Sequence, residues 1–74
     1  MVWHKTHEWE KTHVVGKGWT VIGEARHKRS RLPMALLFCT DATKPWSVQY
    51  AGTGHYFDSR CEAEKWADER MQRP

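Results

Sequence analysis

Trp46-Ser47-Val48-Gln49-Tyr50-Ala51-Gly52-Thr53-Gly54-His55-Tyr56-Phe57-Asp58-Ser59-Arg60-Cys61-Glu62-Ala63-Glu64-Lys65-Trp66-Ala67 contains the change of period that decides the fold. Trp46, Val48 and Tyr50 alternate strictly with their neighbours, so they share one face of a strand. Gly52-Thr53-Gly54 is turn chemistry, and His55-Tyr56-Phe57 then reads as a short last strand feeding a helix. Ser59-Arg60-Cys61-Glu62 matches the reciprocal capping box, in which a Ser hydroxyl and a Glu carboxylate satisfy each other's free backbone N–H groups. Beyond it, Ala63, Trp66, Ala67, Arg70 and Met71 recur at helical spacing, with the stem of Arg70 closing the apolar stripe. The spacing predicts a helix over 59–71, packed through Ala63, Trp66, Ala67 and Met71.

Working outward, period two continues upstream. Trp19-Thr20-Val21-Ile22-Gly23-Glu24-Ala25 is rich in β-formers, with Trp19 and Val21 on one face. Ala35 to Thr40 is a continuous apolar run between Pro33 and Asp41, the pattern of a central strand. Asp41-Ala42-Thr43-Lys44-Pro45 is a turn. Residues 2–15 favour neither period: neither face of the segment is clearly apolar, and it reads as an edge strand or a flexible arm. Gly16-Lys17-Gly18 follows as a hinge or tight turn. The expected fold class is α+β: residues 1–74 form one small domain, an antiparallel meander of three to four strands with one C-terminal helix on a face.

Composition narrows the function. The 74 residues include Trp3, Trp9, Trp19, Trp46 and Trp66. Each ring covers roughly 150–250 Å², and a domain of about 60 residues hides only ~60% of its unfolded surface. Some indole area is therefore expected to be left over for contact with a partner. The net charge is +3, unevenly spread. Residues 1–31 hold seven Lys/Arg against three Asp/Glu, and residues 32–74 hold five against six. The basic run Arg26-His27-Lys28-Arg29-Ser30-Arg31 falls between two expected strands, so it forms a hairpin tip suited to phosphates or carboxylates. Cys39 and Cys61 are too few for a disulfide scaffold, the opening residues are too polar for a signal peptide, and no apolar run approaches the ~20 residues of a membrane span. These features lead us to expect a cytoplasmic protein with free thiols, no membrane contact, and a monomeric free state.

Sites with chemistry have plainer explanations. His4, His7 and His13 lie near Glu8 and Glu10, but structural zinc requires four ligands at recognisable spacing, and a polar surface segment explains them better. Cys61 sits early in the helix, where a thiol can be activated. With His55 it has no orienting third group and no oxyanion device, so it reads as a packed small residue. No cofactor, metal or catalytic residue is expected, and the chain does not read as an enzyme. Trp46, Val48 and Tyr50 offer a base-stacking platform on paper, but that face is needed against the helix. Trp3 and Trp9, in polar surroundings, are the candidate exposed anchors.

Size, the Trp-rich basic N-terminal half (Trp3-His4-Lys5 to Trp19-Thr20-Val21) and the closing Phe57-Asp58-Ser59 to Trp66-Ala67 helix carry a resemblance across the whole chain. It resembles the small transcription regulators of lytic bacteriophages that bind host RNA polymerase. That resemblance implies a non-catalytic protein in the bacterial host cytoplasm that docks on a polymerase subunit, blocks sigma-dependent initiation and suppresses termination. The expected contacts are Trp3, His7, Trp9, Val14 and Val15 for apolar docking, with Arg26, Lys28, Arg29 and Arg31 for electrostatic contact. Two alternatives stand beside it: a basic nucleic-acid-binding module working through the Arg26–Arg31 loop, and a phage inhibitor of another host defence protein.

Overall fold

Strand β3, Trp46–Tyr50, turns directly into β4, Thr53–Phe57, in a computed structural model that describes residues 1–73. The reversal is made by Ala51 (φ 52°) and Gly52 (φ 76°). Two successive positive φ values give the two-residue hairpin turn whose twist matches that of its strands. The turn therefore sits one residue earlier than Gly52-Thr53-Gly54 suggests, and Thr53 and Gly54 join the sheet. Strands β1, Thr20–Arg26, and β2, Pro33–Phe38, complete a four-stranded antiparallel meander in the order β1-β2-β3-β4.

The C-terminal helix α2 spans Arg60–Met71 after the N-cap Ser59, whose hydroxyl accepts from the Glu62 N–H at 3.1 Å. Ala63 and Ala67 are fully buried and bring the helix axis close to the sheet, while Trp66 and Met71 pack at their sides. Opposite them lie Met34, Leu36 and Val48, also fully buried, with Trp46, Tyr50 and Phe57 at the margins. The aromatic face of β3 thus belongs to the core. The structure is the α+β meander with a packed C-terminal helix that periodicity indicates.

The other sheet face is where the N-terminal segment departs from expectation. Trp9 is only 5% exposed and packs with Ala35 and Leu37, flanked by Val15, Trp19 and Val21. It is carried on α1, Glu8–Thr12, a five-residue helix absent from the periodicity reading. Before it, His4 pairs through its backbone with Glu24 in a single antiparallel bridge on the outer edge of β1. Residues 1–15 wrap that edge, placing Trp3 on the α2 side and Trp9 on the opposite side. Trp3 donates from its indole N–H to Glu64 at 2.9 Å. Gly23 makes the wrap possible, because a Cβ there would stand 2.5 Å from the Cβ of Trp3.

The expectation of Trp3 and Trp9 as exposed anchors is corrected: Trp9 is buried, and Trp3 is half-buried with its indole N–H engaged. Trp3, Trp19, Trp46 and Trp66 each keep part of their surface in solvent.

Truncating Trp9 to Ala should cost about 3–5 kcal/mol, a large share of the stability of so small a domain. Truncating the fully exposed Val14 should change stability by less than about 0.5 kcal/mol. Urea denaturation followed by circular dichroism measures both.

Candidate functional site

The β1–β2 hairpin carries its cations on a loop that is tightly braced. Across its base, the His27 N–H donates to the Leu32 carbonyl and the Arg31 N–H to the His27 carbonyl, each at 3.0 Å. Arg31 takes a left-handed conformation (φ 63°) to close the turn. The Arg26 guanidinium donates to the Arg31 carbonyl at 2.8 Å, and the Ser30 hydroxyl accepts from the Leu32 N–H.

His27, the one basic-run residue that is buried, organises the tip. Its Nδ1 accepts from the backbone N–H groups of Arg29 and Ser30, both at 3.2 Å. The ring proton therefore lies on Nε2, which donates to the Arg73 carbonyl at 2.6 Å. One imidazole thus folds the loop and fastens it to the chain leaving α2. Arg26, Lys28, Arg29, Arg31 and Arg73 are all exposed around this fastening. Among the described residues, the ion pairs join Met1 to Asp68, His7 to Glu10, Lys11 to Glu8 and Arg60 to Glu64. None involves a hairpin cation, although Asp68 lines the same depression as Lys28, Arg29 and Arg73. This depression, shallow and of about 600 Å³, lies between the tip and the end of α2.

Two concavities flank α1. A cleft of about 330 Å³ opens between α1 and the root of the basic hairpin, with Trp9, Ala25 and Pro33 among its walls and Arg26 at its rim. Inside it lies Glu24, only 7% exposed, whose Oε1 accepts the Trp9 N–H at the start of α1. On the other side of Trp9, a hollow of about 230 Å³ is bordered by His13, Val14, Trp19, Gln49 and Tyr56. Val14 is 99% exposed and Tyr56 52%.

The residues expected to act together are therefore divided. Arg26, Lys28, Arg29 and Arg31 form one exposed cluster. Val14 is exposed and Val15 half-buried beside the smaller hollow. His7 is exposed and lies near Glu10 at 3.4 Å. Trp3 and Trp9 are packed against the sheet, so their role is to hold α1 and the wrap in place. The remaining chemistry-bearing side chains are occupied elsewhere: His13 stacks on Trp9 with centroids 3.5 Å apart, and His55 lies against Trp66 at 4.2 Å. Cys39 is buried and Cys61 exposed, both as free thiols. Among the described residues, no three His, Cys, Asp or Glu side chains gather as a metal would need, and no helix is long and apolar enough to cross a membrane.

Glu24, His27 and Arg73 were not singled out by sequence reasoning. Glu24 carries no local signal: plain alternation puts it on the face opposite Val21, and only the irregularity between Val21 and Gly23 returns it to the Trp9 side. His27 and Arg73 meet only through the tertiary fold. No protein-family model matches this chain, and no curated protein or solved structure matches it either.

Replacing His27 with Ala removes the acceptor for two backbone N–H groups and the link to Arg73. It should cost about 1–3 kcal/mol and speed hydrogen exchange at Arg29 and Ser30, both readable by NMR.

Proposed function

We propose that this chain is a non-catalytic nucleic-acid-binding module that holds backbone phosphates on the β1–β2 hairpin tip. The observation that carries this reading is the braced cluster of Arg26, Lys28, Arg29 and Arg31, joined by Arg73 and left without a carboxylate partner. Clustering like charges costs stability, and a chain that spends its acids elsewhere keeps this surface for an anion. Arg adds paired N–H donors matched to phosphate oxygens. Bracing matters as well, since a loop ordered before contact loses less entropy on binding. The packing of Trp3 and Trp9 removes the aromatic anchors that favoured a protein partner.

A second reading keeps the polymerase-docking role of the phage regulators described above. The observation in its favour is the apolar spot of Val14 and Tyr56 beside the half-buried Trp19, small but placed for a protein contact. On that reading the hairpin cations steer the approach to an acidic polymerase surface. Both readings place the protein in a bacterial cytoplasm, where Cys39 and Cys61 stay reduced.

Fluorescence anisotropy with short single-stranded oligonucleotides separates the two. Binding to phosphates should weaken with salt, with a log–log slope of about −0.7 for each phosphate neutralised. Replacing Arg26, Lys28, Arg29 and Arg31 together with Ala should flatten most of that slope. Salt-insensitive binding, or undiminished affinity in the fourfold variant, would falsify the phosphate reading. Val14→Asp, by contrast, should abolish capture of purified RNA polymerase only if the second reading holds.

A further inference from the structure

The cleft at the root of the basic hairpin has a chemistry that the phosphate contacts leave unused. Its walls are apolar at Trp9 and Pro33 and polar at His4, Thr6 and Thr12, and its volume of about 330 Å³ lies at the lower end of small-molecule pockets. Glu24 lies 93% buried within it, since only 7% of the residue is exposed. Among the described residues, its Oε1 bonds the Trp9 N–H and no hydrogen bond engages Oε2. No buried side-chain oxygen is left without a partner among the described residues, so Oε2 is open to the cleft, where its lone pairs accept N–H donors from a ligand.

The rim sets the sign of what enters. Glu8, also at the cleft, is engaged by Lys11 at 3.3 Å. Arg26, the one Lys or Arg that lines the cleft, disfavours a second cation at its mouth and favours an anionic group there. A fitting ligand is therefore neutral and planar at its buried end, with N–H donors for Glu24, and negative at its outer end. A nucleotide meets this description, and the bases differ in how well. Guanine presents N1–H and the N2 amino group side by side, matching two carboxylate oxygens. Adenine and cytosine set an acceptor nitrogen beside their amino group, which would face the carboxylate's lone pairs. Thymine offers a single N–H between two carbonyls. A paired base cannot reach such a cleft, so the base must be unpaired or extruded.

We infer that the cleft between α1 and the hairpin root takes an unpaired guanine, read by Glu24, while the hairpin cations hold the adjoining phosphates. The inference rests on the nucleic-acid reading and adds base selectivity to it. Glu24 would then do two jobs with one group, holding α1 through Oε1 and reading the base edge through the lone pairs left over. Ligand entry would be felt directly by Trp9, whose backbone N–H shares the same carboxylate.

The test uses the full chain and single-stranded thymidine oligonucleotides carrying one central guanine, inosine, adenine or thymine. Anisotropy at fixed, moderate salt should show the guanine oligonucleotide binding about tenfold tighter than all-thymine, the discrimination of one good paired contact. Inosine, which lacks the N2 amino group, should lose most of that gain. Glu24→Gln keeps an acceptor for the Trp9 N–H and should bring the guanine-to-thymine ratio close to one. Should that variant fail to fold, inosine decides alone, since it alters only the ligand. Equal affinity for all four oligonucleotides, or a preference that survives Glu24→Gln, overturns the guanine site. Salt-dependent binding in that case leaves the phosphate reading standing, whereas no binding to any oligonucleotide removes both.

Discussion

The structure depends on covering both faces of β2. Met34 and Leu36 face α2, Ala35 and Leu37 face Trp9, and all four are buried. A sheet with one helix can shield only one side of its central strand. The N-terminal segment covers the other side through Trp9. It enters along the edge of β1 at His4, crosses at Gly23 and lays Trp9 over the far face. Three local features hold that path: the His4–Glu24 backbone pairing, the space left by Gly23, and the Glu24 carboxylate at the start of α1. A buried carboxylate is an expensive choice at this position, and it is tolerable because the Trp9 N–H answers it in surroundings where an unanswered donor would also be costly.

Legibility in the sequence tracks how local each cause is. The alternation of Trp46, Val48 and Tyr50, the Ser59 cap and the Ala63-Trp66-Ala67-Met71 stripe are set by neighbours within a few residues, and each places its element where periodicity indicates. The β3–β4 turn is legible in kind but shifted, because Ala51 accepts a positive φ that composition assigns first to glycine. The burial of Trp9 is the feature least legible in the sequence. Its helix is one turn long, begins after a left-handed His7, and has no side-chain cap, so no period announces it. Yet the unbroken apolar run in β2 already demanded cover on both sides, since a strand with one wet face alternates. The same demand, followed through, points to whichever indole the chain can fold back over Ala35 and Leu37. Of the candidate site, the cations were legible as a run, but their bracing by His27 and Arg73 was not, because those two residues are joined across 46 positions.

The contrast between the two ends of the charge distribution is physical as well as numerical. Two acids of the C-terminal half have work within the fold: Glu64 takes the Trp3 indole N–H and lies 3.6 Å from the Arg60 guanidinium, and Asp68 faces the Met1 amino group. Arg60 and Arg70 lie over Trp46 and Trp66, at 5.6 and 4.6 Å from the ring centroids, so their charge is partly absorbed by aromatic faces. The hairpin cations have neither kind of relief. Their mutual repulsion therefore stays uncompensated, and their field stays available to an anion.

Strand register is what joins the core to this charged tip. β1 and β2 slip by one position between Val21 and Gly23, so Ile22 and Gly23 together stand opposite Leu36. Val21 faces the Trp9 layer and Ile22 faces α2 by ordinary alternation, and the bulge returns Glu24 to the Trp9 side opposite Ala35. Arg26, two residues further on, follows Glu24 on the same face by the period of the strand. Without the bulge, every residue from Gly23 onward would exchange faces relative to β2. Glu24 would then point into the apolar layer under α2, and Arg26 would leave the cleft rim. The same irregularity that lets Trp3 pass over Gly23 therefore places a buried acceptor and an exposed cation in line, one at the back of the cleft and one at its mouth. Packing and recognition in this chain are consequences of a single register choice, and a substitution that repaired the bulge would remove both together.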